Sequence, residues 1–482
     1  MADMREDEYR FRYKRLSGEL EARISDGTYG PGEKLPSIRQ LRRKLNLSMT
    51  TVHQAYLDLE AAGLVEARPK SGYYVMPVSL NRLRAPVHAS TPSTPRRVEA
   101  GAMVNSVLKA AVDPKMLPLG SSAISPDLLP VRSFAKIFKG LSGAEVKKVM
   151  AYSLAEGNPE LRRRIALQTL GVADGVTADD VVITNGCTEA AALCLQAILE
   201  PGQALVIESP THFGYLQLFR AYGITVVEAP TDPVTGVDID ALTAILDRHD
   251  VGACLLMPNF HNPLGALMPD ENKRRLVRLL NGRGIPIIED DIYGEVYFEG
   301  TARPSLLKTY DREGLVLTCS SFSKTLAPGL RVGWVIAGEP FRERILRLKA
   351  GSNVCTSTLD QYVLARFLAD APWERHLRRL RTALRQQVIR TALAIQKAFP
   401  PDTRLAVPSG GSLLWVQLNE AVDGNAVYRR ALENRIAILP GAVCSASGVH
   451  RNYIRIGCGY PVTDRVEEGI RTLGWIVAKS MG

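Results

Sequence analysis

Three short apolar runs, each stopping at a polar cluster, constrain this chain more than any other feature in it. Val181-Val182-Ile183 gives way to Thr184-Asn185-Gly186-Cys187-Thr188-Glu189 and then to a helical run from Ala190 to Leu199. Ala204 to Ile207 gives way to Glu208-Ser209-Pro210-Thr211-His212-Phe213-Gly214, and Ile285-Pro286-Ile287-Ile288 ends in Glu289-Asp290-Asp291-Ile292-Tyr293-Gly294. A continuous apolar strand that stops at acids reads as the carboxyl edge of a parallel sheet, which is where ligands bind in α/β proteins.

The stretch Ser321-Phe322-Ser323-Lys324-Thr325-Leu326-Ala327-Pro328-Gly329-Leu330-Arg331-Val332-Gly333 indicates what binds there. It sets one lysine between two serines and places an arginine seven residues on. A lysine amine holds pyridoxal 5'-phosphate as a Schiff base, while hydroxyls and a guanidinium fork hold its phosphate. Such a cofactor needs a carboxylate to keep its ring nitrogen protonated, and Asp290 is the candidate. Tyr293, and Asn262 in Asn259-Phe260-His261-Asn262-Pro263-Leu264-Gly265, are candidate donors to its phenolic oxygen. The free amides of Cys187 and Thr188 open a helix and suit a phosphate. His212 supplies a ring that can stack. Arg455, inside the apolar run Asn452-Tyr453-Ile454-Arg455-Ile456, is expensive to bury unless it meets an anion such as a substrate carboxylate. Each feature has a plainer alternative: a solvated Ser/Lys/Arg loop, an Asn-Pro turn, or a structural ion pair at Arg455.

The first 76 residues follow a different pattern. An amphipathic helix is expected across Tyr9 to Ser25, followed by a turn rich in glycine. In the run Lys34 to Leu45, Ile38, Leu41 and Leu45 share one helical face and leave Arg39, Arg42, Arg43 and Lys44 outside. A break at Asn46-Leu47-Ser48 precedes a second helix from Met49 to Ala62, capped by Ser48 and stopped by Gly63, with Val52, Tyr56 and Leu59 on its inner face. Leu64-Val65 and Tyr73-Tyr74-Val75 flank Arg68-Pro69-Lys70-Ser71-Gly72 as a basic β-hairpin. Helix, turn, helix and hairpin make a winged helix-turn-helix, whose second helix enters the major groove while the wing touches phosphate. Arg39, Thr50, Thr51, His53 and Gln54 are the exposed candidates for DNA contacts, with Lys70 on the wing. The plainer alternative is a small helical domain with a solvated basic face.

Residues 77 to about 115 carry prolines at 77, 86, 92 and 95 and several arginines without sustained periodicity, and are expected to be a semi-stiff linker. A formal net charge of +10 suits a polyanion partner. Seven cysteines with no paired metal spacing point to reduced thiols in a cytoplasm and to no metal site. No signal peptide or membrane-spanning run is expected.

Residues 116 to 482 resemble a fold-type I pyridoxal-phosphate aminotransferase, of the branch that includes aromatic and 2-aminoadipate aminotransferases. The resemblance implies an α/β body with a large domain of about 150 to 340 and a smaller one from the C-terminal part plus residues near 116 to 150. It also implies cofactor attachment at Lys324, ring contacts from Asp290, Tyr293 and Asn262, and a phosphate cup from Ser321, Ser323, Arg331 and the Cys187-Thr188 amides. Arg455 then meets the substrate carboxylate, and Tyr152, in Ala151-Tyr152-Ser153-Leu154, reaches the phosphate of a partner subunit. His212 departs from the tyrosine common in that branch. The runs Pro31 to Arg39 and Leu57 to Val65 resemble the GntR-type DNA-binding domain, although Met49 and His53 stand where that family often has arginine. Head, linker and body together resemble the MocR subfamily of transcriptional regulators. That resemblance implies a homodimer with swapped heads on double-stranded promoter DNA, and an amino acid, a related amine or the cofactor itself as effector. A working aminotransferase with a fused DNA-binding head is the alternative.

Overall fold

Ser37 and Ser48 start the two helices that define the head. The head opens with α1 (Ala2–Ser25), followed by α2 (Ile38–Leu45) and α3 (Met49–Ala61). Ser37 Oγ accepts from Gln40 N while the Gln40 side chain takes the Ser37 N–H, a reciprocal cap, and Ser48 Oγ accepts from Thr51 N. Leu16 and Leu20 of α1 close a core over Leu41, Val52, Tyr56 and Leu59, while Leu45 is 40% exposed, so the apolar face of α2 is shorter than its spacing predicts. β1 (Val65–Arg68) and β2 (Gly72–Val75) form the antiparallel wing. The computed structural model describes residues 2–25, 28–30, 33–68, 71–75, 83–87, 91–98, 102–173, 175–298 and 302–481. Lys70 lies outside them.

Part of the expected linker is built into the body. Residues 96–97 form a short strand, β3 (Arg96–Arg97), and α4 (Ala102–Val112) turns Val107 into the core of the C-terminal domain. Upstream of the main sheet lie α5 (Val131–Lys139), α6 (Gly143–Val149) and α7 (Pro159–Gln168).

The large domain is a sheet of β4 (Val181–Thr184), β5 (Ala204–Ser209), β6 (Thr225–Asp232), β8 (Val251–Leu256), β9 (Ile287–Asp290), β10 (Val316–Ser321) and β11 (Gly333–Ile336), edged by β3 and by β7 (Gly236–Val237). Its order is β3-β6-β5-β8-β9-β10-β11-β4. The central strands β6, β5, β8, β9 and β10 run parallel, and β11 is antiparallel to both neighbours. α8 (Cys187–Ile198), α9 (Phe213–Ala221) and α12 (Phe341–Ser352) cover one face. α10 (Ile239–Arg248) and α11 (Asp270–Asn281) cover the other, and α7 with α13 (Thr358–Asp370) closes over the β4 and β11 end. The strands are buried on both faces, as their unbroken apolar runs require.

The small domain packs α14 (Trp373–Ala398), α15 (Gly424–Glu433) and α16 (Asp464–Ala478) on an antiparallel sheet of β12 (Arg404–Leu405), β13 (Leu413–Gln417), β15 (Tyr453–Gly457) and β14 (Leu439–Pro440). Leu117, Leu119 and Ile124 join its core, whereas Phe134 of α5 joins the large domain. Among the described residues no helix is long and apolar enough to cross a membrane, and no group of side chains is arranged to hold a metal ion.

Candidate cofactor site

The carboxyl ends of β4, β5, β9 and β10 meet Arg455 of β15 at one pocket between the two domains. Lys324 follows β10 in a single turn, where burial and the nearby Arg455 draw its amine down to about 8, against the opposing pull of Asp290. Its Nζ donates to Ser122 O at 2.9 Å and lies 3.2 Å from Ser122 Oγ, over the ring of Tyr293. The strand β9 runs on through Glu289 and Asp290 and stops before Asp291, and alternation sends the first two acids to opposite faces. Glu289 accepts from Thr318 and Leu307 N, and burial with Asp291 beside it pushes it up to about 7. Asp290 faces the pocket, buried and raised by that burial. Tyr215 Oη donates to its Oδ2 at 2.7 Å, Ile292 N to its Oδ1 at 3.0 Å, and the Cys187 thiol stands 3.6 Å away.

The residues expected to cup a phosphate lie together. Gly186, at φ 86, caps α8, and an added Cβ there would strike Arg331 Nη2. Gly333 sits so close to Cys187 N and Ser320 O that it too has no room for a side chain. Arg331 donates to Ser323 Oγ at 3.3 Å, to Pro328 O at 3.1 Å and to Asn185 O at 3.5 Å, and to no carboxylate among the described residues. Ser321 Oγ accepts from Ser323 N. The amide end of α8, with Thr188 in its first turn, completes this side.

On the other side, Arg455 is 1% exposed. Its Nη1 donates to Asn262 Oδ1 at 2.9 Å and its Nη2 to Gly120 O at 2.6 Å, while Nε has no hydrogen-bond partner among the described residues. Asn262 Nδ2 lies 3.2 Å from His212 Nδ1. The surrounding protein and the charges of Arg455 and Lys324 hold this imidazole neutral, far below its usual value. The Tyr293 hydroxyl is buried beside Ser122 without a well-formed hydrogen bond, and burial pushes it up to about 12.

The residues present fit a phosphorylated aromatic aldehyde. Two glycines leave an anion cradle, a buried carboxylate faces the pocket, and two buried polar atoms, Tyr293 Oη and Arg455 Nε, have no hydrogen-bond partner among the described residues. Lys324, Asp290, Tyr293, Asn262, His212, Ser321, Ser323, Arg331 and Cys187-Thr188 are all brought together. Tyr152 is not: it is 89% exposed. Sequence reasoning misses Tyr215 and Ser122. Tyr215 lies three residues after His212 on the same helical side, but its acid partner is 75 residues away, and Ser122 lies 202 residues from Lys324.

On the head, Arg39, Thr50 and His53 are exposed, and Gln54 is half-buried with its amide on Asp58 Oδ1. Thr51 corrects the expectation. It is 3% exposed, and its hydroxyl and amide are both bonded to Ser48, because the third residue after an N-cap turns toward the capping side chain.

Comparison with known proteins places both parts. Residues 115–473 match the model for aminotransferase class I and II, and residues 12–75 match the model for bacterial regulatory proteins of the gntR family. The chain is 36% identical to YjiR of Escherichia coli, named as an uncharacterized HTH-type transcriptional regulator, over 98% of this chain and 99% of that one. It is 31% identical to a 2-aminoadipate transaminase of Thermus thermophilus, covering 78% of this chain and 94% of that one. Among solved structures, the α-aminoadipate aminotransferase LysN of Thermus thermophilus, in complex with N-(5'-phosphopyridoxyl)-L-leucine, superposes with a TM-score of 0.73 at 29% identity, covering 80% of this chain and 96% of that one. The chain therefore belongs to the class I and II aminotransferases through its body and to the gntR family of bacterial regulators through its head, the combination of the MocR subfamily.

Proposed function

We propose that the protein is a cytoplasmic transcriptional regulator that binds pyridoxal 5'-phosphate, senses an amino acid or related amine in its body, and binds promoter DNA through its heads. The observation that carries this reading is the fusion itself. One chain joins a site around Lys324, Asp290 and Arg331 that suits the cofactor to a capped recognition helix with Thr50 and His53 exposed, and a protein named as an HTH-type transcriptional regulator matches it along 98% of its length.

When bound, the cofactor supplies an aldehyde for condensation with amines and a ring that withdraws electrons. Lys324 would hold it. An amine brought down to about 8 keeps a usable unprotonated share at neutral pH, which a lysine in water does not. Asp290, fixed by Tyr215 and Ile292 N, would hold a proton on the ring nitrogen. Ser321, Ser323, Arg331 and the α8 amides would hold the phosphate, and Tyr293 and Asn262 would bind the ring oxygen. Arg455, short of a partner at Nε, would take the carboxylate of the amine compound. Met150, Tyr152 and Leu154 are exposed and suit contact with a second copy, whose phosphate Tyr152 would reach. Heads exchanged between the two copies would complete the dimer.

The same pocket suits a working aminotransferase, and the named transaminase relative favours that second reading. Salt-controlled footprinting of promoter fragments, beside steady-state assays with a panel of amino donors and keto acids, separates the two. A footprint that changes when an amine compound is added, with negligible turnover, supports the regulator. Turnover at enzyme-like rates with no footprint replaces it with the enzyme. A footprint that responds to cofactor alone makes the cofactor the effector.

A further inference from the structure

Glu228, on β6, is fully buried and takes no part in the pocket contacts described above. Four donors meet its carboxylate, and none of them is a cation. Ser209 Oγ at 3.1 Å, Ser445 Oγ at 2.8 Å and Ala446 N at 2.9 Å donate to Oε1, and Ser447 N donates to Oε2 at 3.0 Å. A carboxyl group is costly to bury unless its oxygens are filled with donors, so these bonds make a stiff junction.

The four donors come from two segments that meet at His212. Ser209 closes β5 and lies three residues before His212. Residues 445–447 follow the turn Gly441–Cys444 of the small domain, and Cys444 O accepts from Thr211 N at 2.7 Å. Glu228 therefore ties the chain before His212 twice, directly at Ser209 and through Cys444 at Thr211. The imidazole that follows is packed so closely on Gly214 that no side chain fits there, and it stands edge-on to Tyr215 with centroids 5.5 Å apart. Tyr215 donates to Asp290, and Asn262, 3.2 Å from His212 Nδ1, accepts from Arg455. The ring thus lies between the acid and the arginine of the pocket.

We propose that Glu228 is a positioning residue for the cofactor pocket, which sets the place of the His212 ring by fixing the backbone on its N-terminal side. This rests on the reading that the pocket holds pyridoxal 5'-phosphate against that ring. His212 stands at the N-cap of α9 without a side-chain cap bond, so the direction of its side chain follows from the backbone that enters the helix. With Ser209 and Thr211 both held, few free dihedrals remain between β5 and the ring. A group in contact with a ligand keeps its geometry only where the residues behind it are fixed, and Glu228 supplies that support from the far side of the 209–212 segment. Cys444 belongs to the small-domain core while Ala446 packs on the large domain, so the same junction also joins the two domains beside the ring.

A double-mutant cycle on the full-length protein separates positioning from plain stability. Affinity for pyridoxal 5'-phosphate is measured by absorbance titration in the wild type, Glu228→Gln, His212→Ala and the double variant. Glu228→Gln keeps the shape and turns one acceptor oxygen into an amide donor. It is expected to weaken cofactor binding about tenfold when His212 is present and less than about twofold when His212 is already alanine. An equal loss in both backgrounds makes Glu228 a merely structural residue and overturns the proposal, as does no loss in either or a His212→Ala variant that binds as the wild type does. Ser445→Ala, which removes one hydroxyl and keeps both amides, serves if Glu228→Gln does not fold: a loss of about threefold that vanishes beside His212→Ala is expected, and one that persists overturns the proposal. The Thr211 amide is expected to exchange about tenfold faster in Glu228→Gln than in the wild type, and unchanged exchange also overturns it. Should the wild type take up no cofactor, the reading of the pocket fails instead, and Thr211 exchange still shows whether Glu228 holds the chain before His212.

Discussion

Tyr215 and Asp290 share a 2.7 Å hydrogen bond that joins the first turn of α9 to the end of β9, 75 residues further along the chain. The bond occupies one carboxylate oxygen with a phenol that burial holds in its protonated form. Tyr215→Phe keeps the ring and leaves that oxygen short of a donor, a cost of about 1–3 kcal/mol. Thermal unfolding is expected to show the full loss in the cofactor-free protein and a smaller one when the cofactor's ring N–H is present.

Gly186 tests the phosphate cup. Gly186→Ala meets both a positive φ and the Arg331 guanidinium, so cofactor affinity measured by absorbance titration is expected to fall at least about tenfold. Gly329→Ala, at a position open to space, is the matched control and is expected to change little.

The Lys324 amine is expected to label with an acylating reagent along a pH curve centred near 8 in the cofactor-free protein. Arg455 lowers this amine and Asp290 raises it. Arg455→Gln should therefore move the midpoint up and Asp290→Asn should move it down, and reversed shifts would contradict the geometry. Lys324→Ala should leave no borohydride-reducible adduct with the cofactor.

Arg455→Ala is expected to weaken the spectral response of the holoprotein to amino acids by about a hundredfold, the worth of a charge-assisted pair, while cofactor retention is unchanged. Simple amines should respond alike in both proteins.

On the head, Arg39→Ala should weaken operator binding in quantitative footprinting at fixed salt. Thr51→Ala should act differently, lowering head stability through the Ser48 cap by about 1 kcal/mol, visible in thermal unfolding of the full chain.

Local chemistry is readable from the chain. The cap Ser48 announces itself within three residues, the cluster around Lys324 within ten, and β9 by its apolar run into acids. Relationships fixed by strand order are not. Ser122 meets Lys324 because Leu117 to Ile124 pack with the C-terminal domain across the pocket, and no periodicity in either segment encodes the other. Thr51 misleads because its polarity suggests exposure, although its spacing from Ser48 turns it inward. The stretch after residue 82 reads as irregular because its partners, Gln417, Tyr453, His249 and β6, all lie far along the sequence.

The pairing of Arg96 and Arg97 with Val226 and Thr225 has a practical meaning for the body on its own. β6 is the last strand of the central parallel run, and without β3 the backbone groups of its first residues face solvent as a template for another chain. Two arginines laid along that edge shield it with charge. A body severed from its head upstream of residue 91 keeps this guard, and one severed after residue 98 loses it and gains a sticky margin. Protease trimming of the head followed by light scattering would show the difference as clear and turbid solutions of otherwise similar fragments.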